Sequence, residues 1–556
     1  MAASLAQDGL PDEAIRCYRQ LIEKDSTCFA AWYHVGLLYR DTGDVHLSME
    51  AFRHCIVLRP SEPWPYFHLA YVVGASPVSR YRESISLLRR ALELDSGCHE
   101  FRLNLGNALA SRHQLSEAVQ VMSLLPATLS GWWAAARDNA VATDGRTRRD
   151  ARLLLAERRK GRRADRLKEH WLTPTENLQL ARHLAALGKT RPALRIVCAL
   201  MESDHPTWEP FALYAEILAN REGVEAAAAF LKDVCSHFPG NLLLKVALAR
   251  YYLEAGAYQQ ALSALSGPVQ SQLPEARALV SAILFNMKEG SQLLSHCAKW
   301  IASDPEDTLP HAYAISALRL QNALSRFADA GVPHGHATKP DKPFRIVQFW
   351  DSENPPPEVL EAMGTWHNAH PELEHLVFNE HSAREYLLRH YGIEAAAAFD
   401  SCHHAAMKSD LFRVAFLARD GGVYVDADEI CRRPLYPLLR ELSPAGFIAA
   451  MSADAVPYVY NAFLMATPGF PILRDAFQRM LSDLLRLKQA GARADIWHTT
   501  GPGQMTRAVA RYLTEETNPA DYVHLLTRSQ YSSYSTEDAA MPYKQTSKGN
   551  WRVSHQ

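Results

Sequence analysis

Lys408-Ser409-Asp410-Leu411-Phe412-Arg413 leads through an apolar stretch to Gly421-Gly422-Val423-Tyr424-Val425-Asp426-Ala427-Asp428. The first part reads as helix. Apolar residues at 407, 411, 414, 415 and 418 repeat at helical spacing and predict a core-facing stripe over 404–419. Two glycines stop the helix, and a short apolar run predicts a buried strand ending in two carboxylates. Two residues apart on a strand, Asp426 and Asp428 would share one face. Paired carboxylates at a strand end suit a hard divalent cation, which takes oxygen ligands and shares them with substrate phosphates. Asp410 and Arg413 are three apart and share another edge of the helix.

The elements around this stretch alternate. Phe344–Trp350 and His375–Phe378 read as strands, and helices are expected near 358–369 and 380–391. Such alternation predicts an α/β domain with a mainly parallel sheet, whose ligands bind at the carboxyl ends of the strands. Trp350, Asn379 and the Asp426/Asp428 pair all fall at expected strand ends, so one crevice could collect them.

The first two thirds of the chain repeat at about 34 residues. Trp32, Gly36, Tyr39, Gly43, Phe52 and Pro60 define one copy. Ala70, Ser84, Leu88 and Ala91 continue it, then Gly106, Ala118 and Met122. A second block runs through Gly188, Ala193 and Val197, then Ala215, Ala227, Leu231 and Pro239, then Ala249, Tyr252, Gly256, Ala261 and Leu265. Cys297, Trp300 and Pro305 look like a last, degraded copy. Small residues at matching positions let paired helices approach, large ones fill the space between pairs, and proline closes the second helix. As a set, the copies resemble tetratricopeptide repeats, which serve as binding or assembly surfaces. Between the blocks, residues 144–169 hold eleven Lys/Arg and five acids, which reads as a solvated basic helix or a docking strip for an acidic partner.

Composition sets the outer limits. A chain of 556 residues is too long for one core. A net charge of −2 gives no nucleic-acid signature, and no apolar run approaches a membrane span. Met1–Leu5 lacks the basic and apolar regions of a signal peptide, so the cytoplasm is the expected compartment. The nine cysteines include no C-x-x-C pair and are expected as core thiols. The expected division is repeats over 1–130, a basic helical connector over 131–173, divergent repeats over 174–306, a linker (or a last helix plus linker) over 307–342, and the α/β domain over 343–556.

The run from Ser409 to Asp428 also resembles, at every fixed position, the sugar-binding region of DXD-type glycosyltransferases. That family includes initiating mannosyltransferases, α-1,4-galactosyltransferases and, as relations, glucosylating bacterial toxins. The resemblance implies a GT-A-like α/β fold with a mixed sheet. It also implies a transferase that uses a UDP- or GDP-sugar with Mn²⁺ or Mg²⁺ and retains configuration. It assigns Asp410 and Arg413 to the donor sugar and diphosphate, Tyr424 to the nucleotide pocket, and Trp350 to stacking on the base. Asp426 would reach the metal and Asp428 would bind it directly. Asn461 would lie near the donor, Thr500-Gly501-Pro502 would open a helix facing the anion, and His555 would close over the metal. A protein or glycan is the expected acceptor, and the repeats would hold a protein partner. Two alternatives share the residues: a repeat scaffold with an inactive transferase domain, and a phosphohydrolase built on the same D-x-D.

Overall fold

In the computed structural model the described residues are 11–42, 44–75, 81–111, 114–122, 173–203, 206–267, 273–321, 344–442, 446–516 (without 453 and 455), 522–537 and 541, with 2, 5 and 124 as isolated positions. The basic segment 144–169, most of the expected linker and His555 lie outside them. The chain forms two compact units, one of residues 45–287 and one of residues 1–44 with 288–556.

The 45–287 unit is helical throughout its described residues. Its helices include Val45–Leu58, Pro63–Ala75, Tyr81–Leu94 and His99–Ser111, and later Glu209–Glu222, Val224–His237 and Leu242–Glu254. The small repeat residues sit where the helices meet. Ala70, Ala193, Ala215, Ala227, Ala249 and Ala261 are fully buried. A Cβ added to Gly106 would stand 2.4 Å from Met122 Cγ, so this helix pair touches through a glycine. Ser84 adds a hydroxyl bond to the Ala70 carbonyl at 2.9 Å, satisfying a buried polar group at another such contact.

The other unit holds the sheet. Helices α1 (Gly290–Ser303) and α2 (Thr308–Leu320) form a hairpin ahead of it. Then follow β1 (Arg345–Phe349), α3 (Pro357–Ala369), β2 (Glu374–Phe378), α4 (Glu380–Tyr391), α5 (Ile393–Ser401), α6 (Ala405–Asp420), β3 (Gly422–Val425) and β4 (Glu429–Cys431). The chain continues with α7 (Tyr436–Glu441), β5 (Phe447–Met451), β6 (Val459–Ala466), α8 (Pro471–Gln489), α9 (Ile496–Thr499), α10 (Pro502–Glu515), β7 (Val523–Leu526), α11 (Arg528–Tyr534) and β8 (Ser535–Glu537). Six strands order as β2-β1-β3-β6-β5-β7, and β4 pairs with β8 apart from them.

The sheet is mixed rather than mainly parallel. β1 runs parallel to β2 and β3, and β5 to β7, while β6 is antiparallel to both β3 and β5. Every residue of β3 and β5 is buried, as expected of strands covered on both faces. One face packs Val347, Phe349 and Tyr424 against α6, α8 and α10; the other packs Ile346, Val423 and Phe463 against Trp366, Leu435 and Tyr531.

Two local features differ from the sequence reading. Residues 308–320, assigned to the linker with a last helix as the alternative, are helical, and 310–318 are buried without a break. Ile315 and Leu318 enter the same core as β1 and α6. Secondly, β3 ends at Val425. Asp426 follows the strand, and Ala427 and Asp428 form a turn, so the two carboxylates do not share a strand face. The double glycine does mark a forced geometry. Gly421 and Gly422 have φ of +67° and +115°, and a Cβ on Gly422 would meet the Arg345 carbonyl at 2.8 Å.

Candidate active site

Trp350, Asn379 and Asp426 each directly follow β1, β2 and β3, whose parallel order brings the three strand ends to one edge of the sheet. The start of β6 meets that edge, because Asp426 N–H donates to Ala462 O at 2.9 Å. The Asn379 side chain is taken up in capping α4, in a reciprocal pair with Ser382. Trp350 packs beside Ala427, the residue between the two aspartates, with Val359 and Met363.

Behind that edge lies a buried charge frame. The Asp410 and Arg413 side chains are only 7% and 4% exposed, and they are 3.3 Å apart. Arg413 Nη2 also meets Asp426 Oδ1 at 3.0 Å, and that carboxylate is 32% exposed. Asp426 is therefore the member of the frame that reaches solvent. Arg413 Nη1 donates to Asn461 O at 2.6 Å and Nη2 to Ser409 Oγ at 2.8 Å, and the guanidinium lies 4.4 Å from the Tyr424 ring centre. The Tyr424 hydroxyl donates to Asp426 Oδ1 at 3.2 Å and sits 2.7 Å from Ser409 Oγ.

Both Asp410 oxygens are engaged. Asn461 Nδ2 donates to Oδ1 at 2.8 Å, and Thr500 Oγ1 donates to Oδ2 at 3.3 Å. The sequence-predicted residues Asp410, Arg413, Tyr424, Asp426 and Asn461 thus form one network. Gly501 joins through its neighbour Thr500. It must be glycine-sized, since a Cβ there would meet Ile496 O at 2.8 Å. The backbone of Asp426 is held from the other side by Gln348, whose Nε2 donates to its carbonyl at 3.3 Å while His375 Nε2 donates to Gln348 Oε1 at 2.7 Å.

The electrostatics follow from burial. Desolvation pushes the Asp410 carboxyl up to about 7 against the opposing pull of Arg413, and the Asp426 charge adds to the rise. Burial disfavours the Arg413 cation, yet Asp426 and Asp410 outweigh it and hold the pKa above its ordinary value. Burial raises Tyr424, which stays a neutral phenol.

Glu429 is a carboxylate that the sequence reading missed. It is 1% exposed, and Ser535 Oγ donates to its Oε2 at 2.5 Å, tying β4 to β8 one residue past Asp428. Burial pushes it up to about 7. Its side chain turns into the protein, leaving Asp426 and Asp428 as the accessible pair on this turn. Among the described residues no group of three or more His, Cys, Asp or Glu side chains could hold a metal. Two carboxylates on a turn instead fit a Mg²⁺ or Mn²⁺ that completes its shell with waters and phosphate oxygens.

Residues 356–444 match the family described as glycosyltransferase sugar-binding region containing DXD motif, and residues 1–63 and 78–128 match tetratricopeptide repeat. HOC1 of Saccharomyces cerevisiae, which carries a glycosyltransferase name, is 27% identical over 31% of this chain and 50% of its own. Inositol phosphoceramide mannosyltransferase 3 of Schizosaccharomyces pombe is 30% identical over 18% of this chain and 30% of its own. The initiation-specific alpha-1,6-mannosyltransferase of Candida albicans is 24% identical over 31% and 54%. The chain therefore spans about half or less of each of these relatives. Among solved structures, PaToxG glycosyltransferase is 15% identical, covering 30% of this chain and 69% of that one, at a TM-score of 0.25. The P58(IPK) TPR domain is 13% identical, covering 53% and 89%, at a TM-score of 0.25.

Proposed function

We propose that this chain, which joins tetratricopeptide repeats to a glycosyltransferase sugar-binding region, transfers a hexose from a nucleoside-diphosphate sugar to a protein or glycan acceptor with retention of configuration. The observation that carries this is the buried Asp410–Arg413 pair, which fixes one oxygen of a solvent-reaching Asp426 at the carboxyl edge of β1 and β3. Asp426 and Asp428 would hold Mn²⁺ or Mg²⁺, which when bound neutralises charge on the departing diphosphate. Arg413 and the Tyr424 hydroxyl both hold Asp426 Oδ1, so the carboxylate would meet its ligand without reorganising. Asn461, held by Asp410, would lie near the donor sugar. Trp350, which packs against the cluster containing Ala427, would stack on the nucleotide base.

Among the described residues, neither Asp410 nor Glu429 is positioned as a general base. Both Asp410 oxygens are held, and Glu429 faces Ser535. A same-face transfer, in which a leaving phosphate oxygen takes the acceptor proton, requires none. The relatives' names place mannosyl donors first in any screen. Their acceptors differ, so the names carry no acceptor across. The repeats would present the protein acceptor or an assembly partner.

The test is donor hydrolysis and transfer with Mn²⁺ or Mg²⁺ across a panel of UDP- and GDP-hexoses. Asp428→Ala should reduce turnover at least a hundredfold while the melting curve stays unchanged. A folded wild-type protein that binds no nucleotide sugar in the presence of either metal would sink the proposal.

A further inference from the structure

Next to the carboxylate frame stands an aromatic pair that the transfer chemistry does not use. Trp497 lies in α9, and Tyr458 immediately precedes β6. Their ring centres are 4.6 Å apart at 78°, an edge-on contact, and both side chains are half-buried. Trp497 is held in a fitted seat. A Cβ on Gly503 would stand 2.9 Å from its indole Nε1 and 3.0 Å from Cδ1, and one on Gly501 would stand 3.2 Å from its Cα. Gly503 thus makes room for the pyrrole edge of the indole, and Gly501 for the Trp497 backbone.

The pair is anchored through the groups that hold Asp410. Thr500 is three residues beyond Trp497, and Asn461 three beyond Tyr458; these two side chains donate to opposite oxygens of Asp410. Val459 N–H donates to Thr506 Oγ1 at 2.9 Å, pinning the start of β6 to α10. Behind α9, the buried Arg507 donates to His498 O and to Thr308 Oγ1, both at 2.9 Å. Trp497 therefore has little freedom to turn. A partly exposed indole on so rigid a mount leaves apolar surface in water that a ligand could cover, and apolar walls with a few fixed polar groups are how small-ligand sites are built.

We propose that Trp497, edged by Tyr458, is a stacking platform for the apolar C–H face of a pyranose ring whose hydroxyls meet the Asn461–Asp410 pair. This rests on the nucleotide-sugar reading of the site. The ring belongs to the donor hexose or to an acceptor sugar, and the ligands of the test tell these apart.

The experiment is calorimetry on the full chain with Mn²⁺, using three ligands: UDP or GDP, the matching nucleotide hexose, and a methyl hexoside added to nucleotide-loaded protein. Trp497→Leu keeps an apolar side chain without an aromatic face, and Trp497→Phe restores one. For a donor ring, Trp497→Leu should weaken the nucleotide hexose about tenfold, leave the bare nucleotide unchanged, and be largely rescued by Trp497→Phe. For an acceptor ring, only methyl hexoside binding should fall, by fivefold or more, with the same rescue. Equal binding of all three ligands by wild type and Trp497→Leu overturns the platform. So does an equal loss for bare nucleotide and nucleotide hexose, which marks a structural role. A wild type that binds neither nucleotide nor nucleotide hexose overturns the underlying reading instead, and the platform with it. If Trp497→Leu does not fold, Tyr458→Leu replaces it in the same titrations, with an expected loss of about threefold and the same overturning results.

Discussion

Asp410 carries two roles that pull against each other. Its burial penalises the charge, and its place in the frame uses both oxygens as acceptors. The two roles separate by substitution. Asp410→Ala strands the Asn461 amide and the Thr500 hydroxyl in a dry site and should cost about 3 kcal/mol of stability. Asp410→Asn can keep an oxygen towards Asn461 and turn its NH₂ to the Thr500 oxygen, so a cost of about 1 kcal/mol is expected. The pH dependence has a definite sign. The folded-state pKa lies near 7, above the ordinary carboxyl value, so the folded protein binds this proton more tightly than the unfolded chain. The stability from that site is complete below the unfolded pKa and is lost as pH rises through about 7. Urea unfolding of wild type and Asp410→Asn between pH 4.5 and 8 should show the wild type losing ground to the variant as pH rises. A gap that stays constant across that range would contradict the assignment. The sequence made most of this site legible, because Ser409, Asp410, Arg413, Tyr424 and Asp426 lie within eighteen positions of one another. Trp497, Tyr458, Glu429 and Arg507 were not legible. Each gains its meaning from a partner that folding brings close, such as Ser535 for Glu429, 106 residues away. Gly501 and Gly503 just after Trp497 were the one local hint.

At the scale of elements, helices buried on all sides were the hardest to read. The α6 pattern suggested one apolar stripe, yet every residue from Ser409 to Ala418 is buried, charged pair included. In α2 the sequence Thr308–Leu320 shows no clear stripe because both sides are covered, and the prolines and glycine that follow at 333–343 left linker and last helix as equal readings. The same burial makes α2 sensitive to acid. His311 is fully buried; its Nδ1–H donates to Asp307 O at 2.7 Å, and Nε2 has no partner. Burial holds its pKa down to about 4, and the Arg511, Arg507 and Arg479 charges push the same way. Between the ordinary histidine value and about 4 the unfolded chain binds more protons than the folded one, so stability falls as pH falls through that window. His311→Asn keeps a donor near the Nδ1 position and removes the titrating ring. Its stability should fall less than that of wild type between pH 6.5 and 4.5, measured by denaturant midpoints. Parallel curves would show that His311 does not carry the acid sensitivity.

The whole molecule divides differently from its sequence pattern. Repeat-like spacing continues through Trp300 and Pro305, which placed the boundary of the α/β domain near 343. The contacts place α1 and α2 in the same unit as the sheet. Ile315 and Leu318 share a core with Val347 and Leu411, and Arg507, 2% exposed, donates to Thr308. A fragment of residues 344–556 would lose these partners. It would open the α10 face to water and leave a buried guanidinium without Thr308 or Glu306. Breaking such a contact costs several kcal/mol, which is a large share of a domain's net stability. A fragment of 288–556 retains the hairpin. The shorter fragment should therefore be insoluble or melt at least 10 °C lower, and the longer one should show a cooperative transition. The Phe29–Thr42 helix refines this expectation, because it contacts α11, which precedes the β8 strand tied to Glu429. Adding residues 11–44 in trans as a peptide should raise the melting temperature of the 288–556 fragment in a concentration-dependent way. If the 344–556 fragment instead melts as cooperatively and as high as 288–556, the hairpin belongs to the repeats alone, and the boundary returns to where the spacing put it.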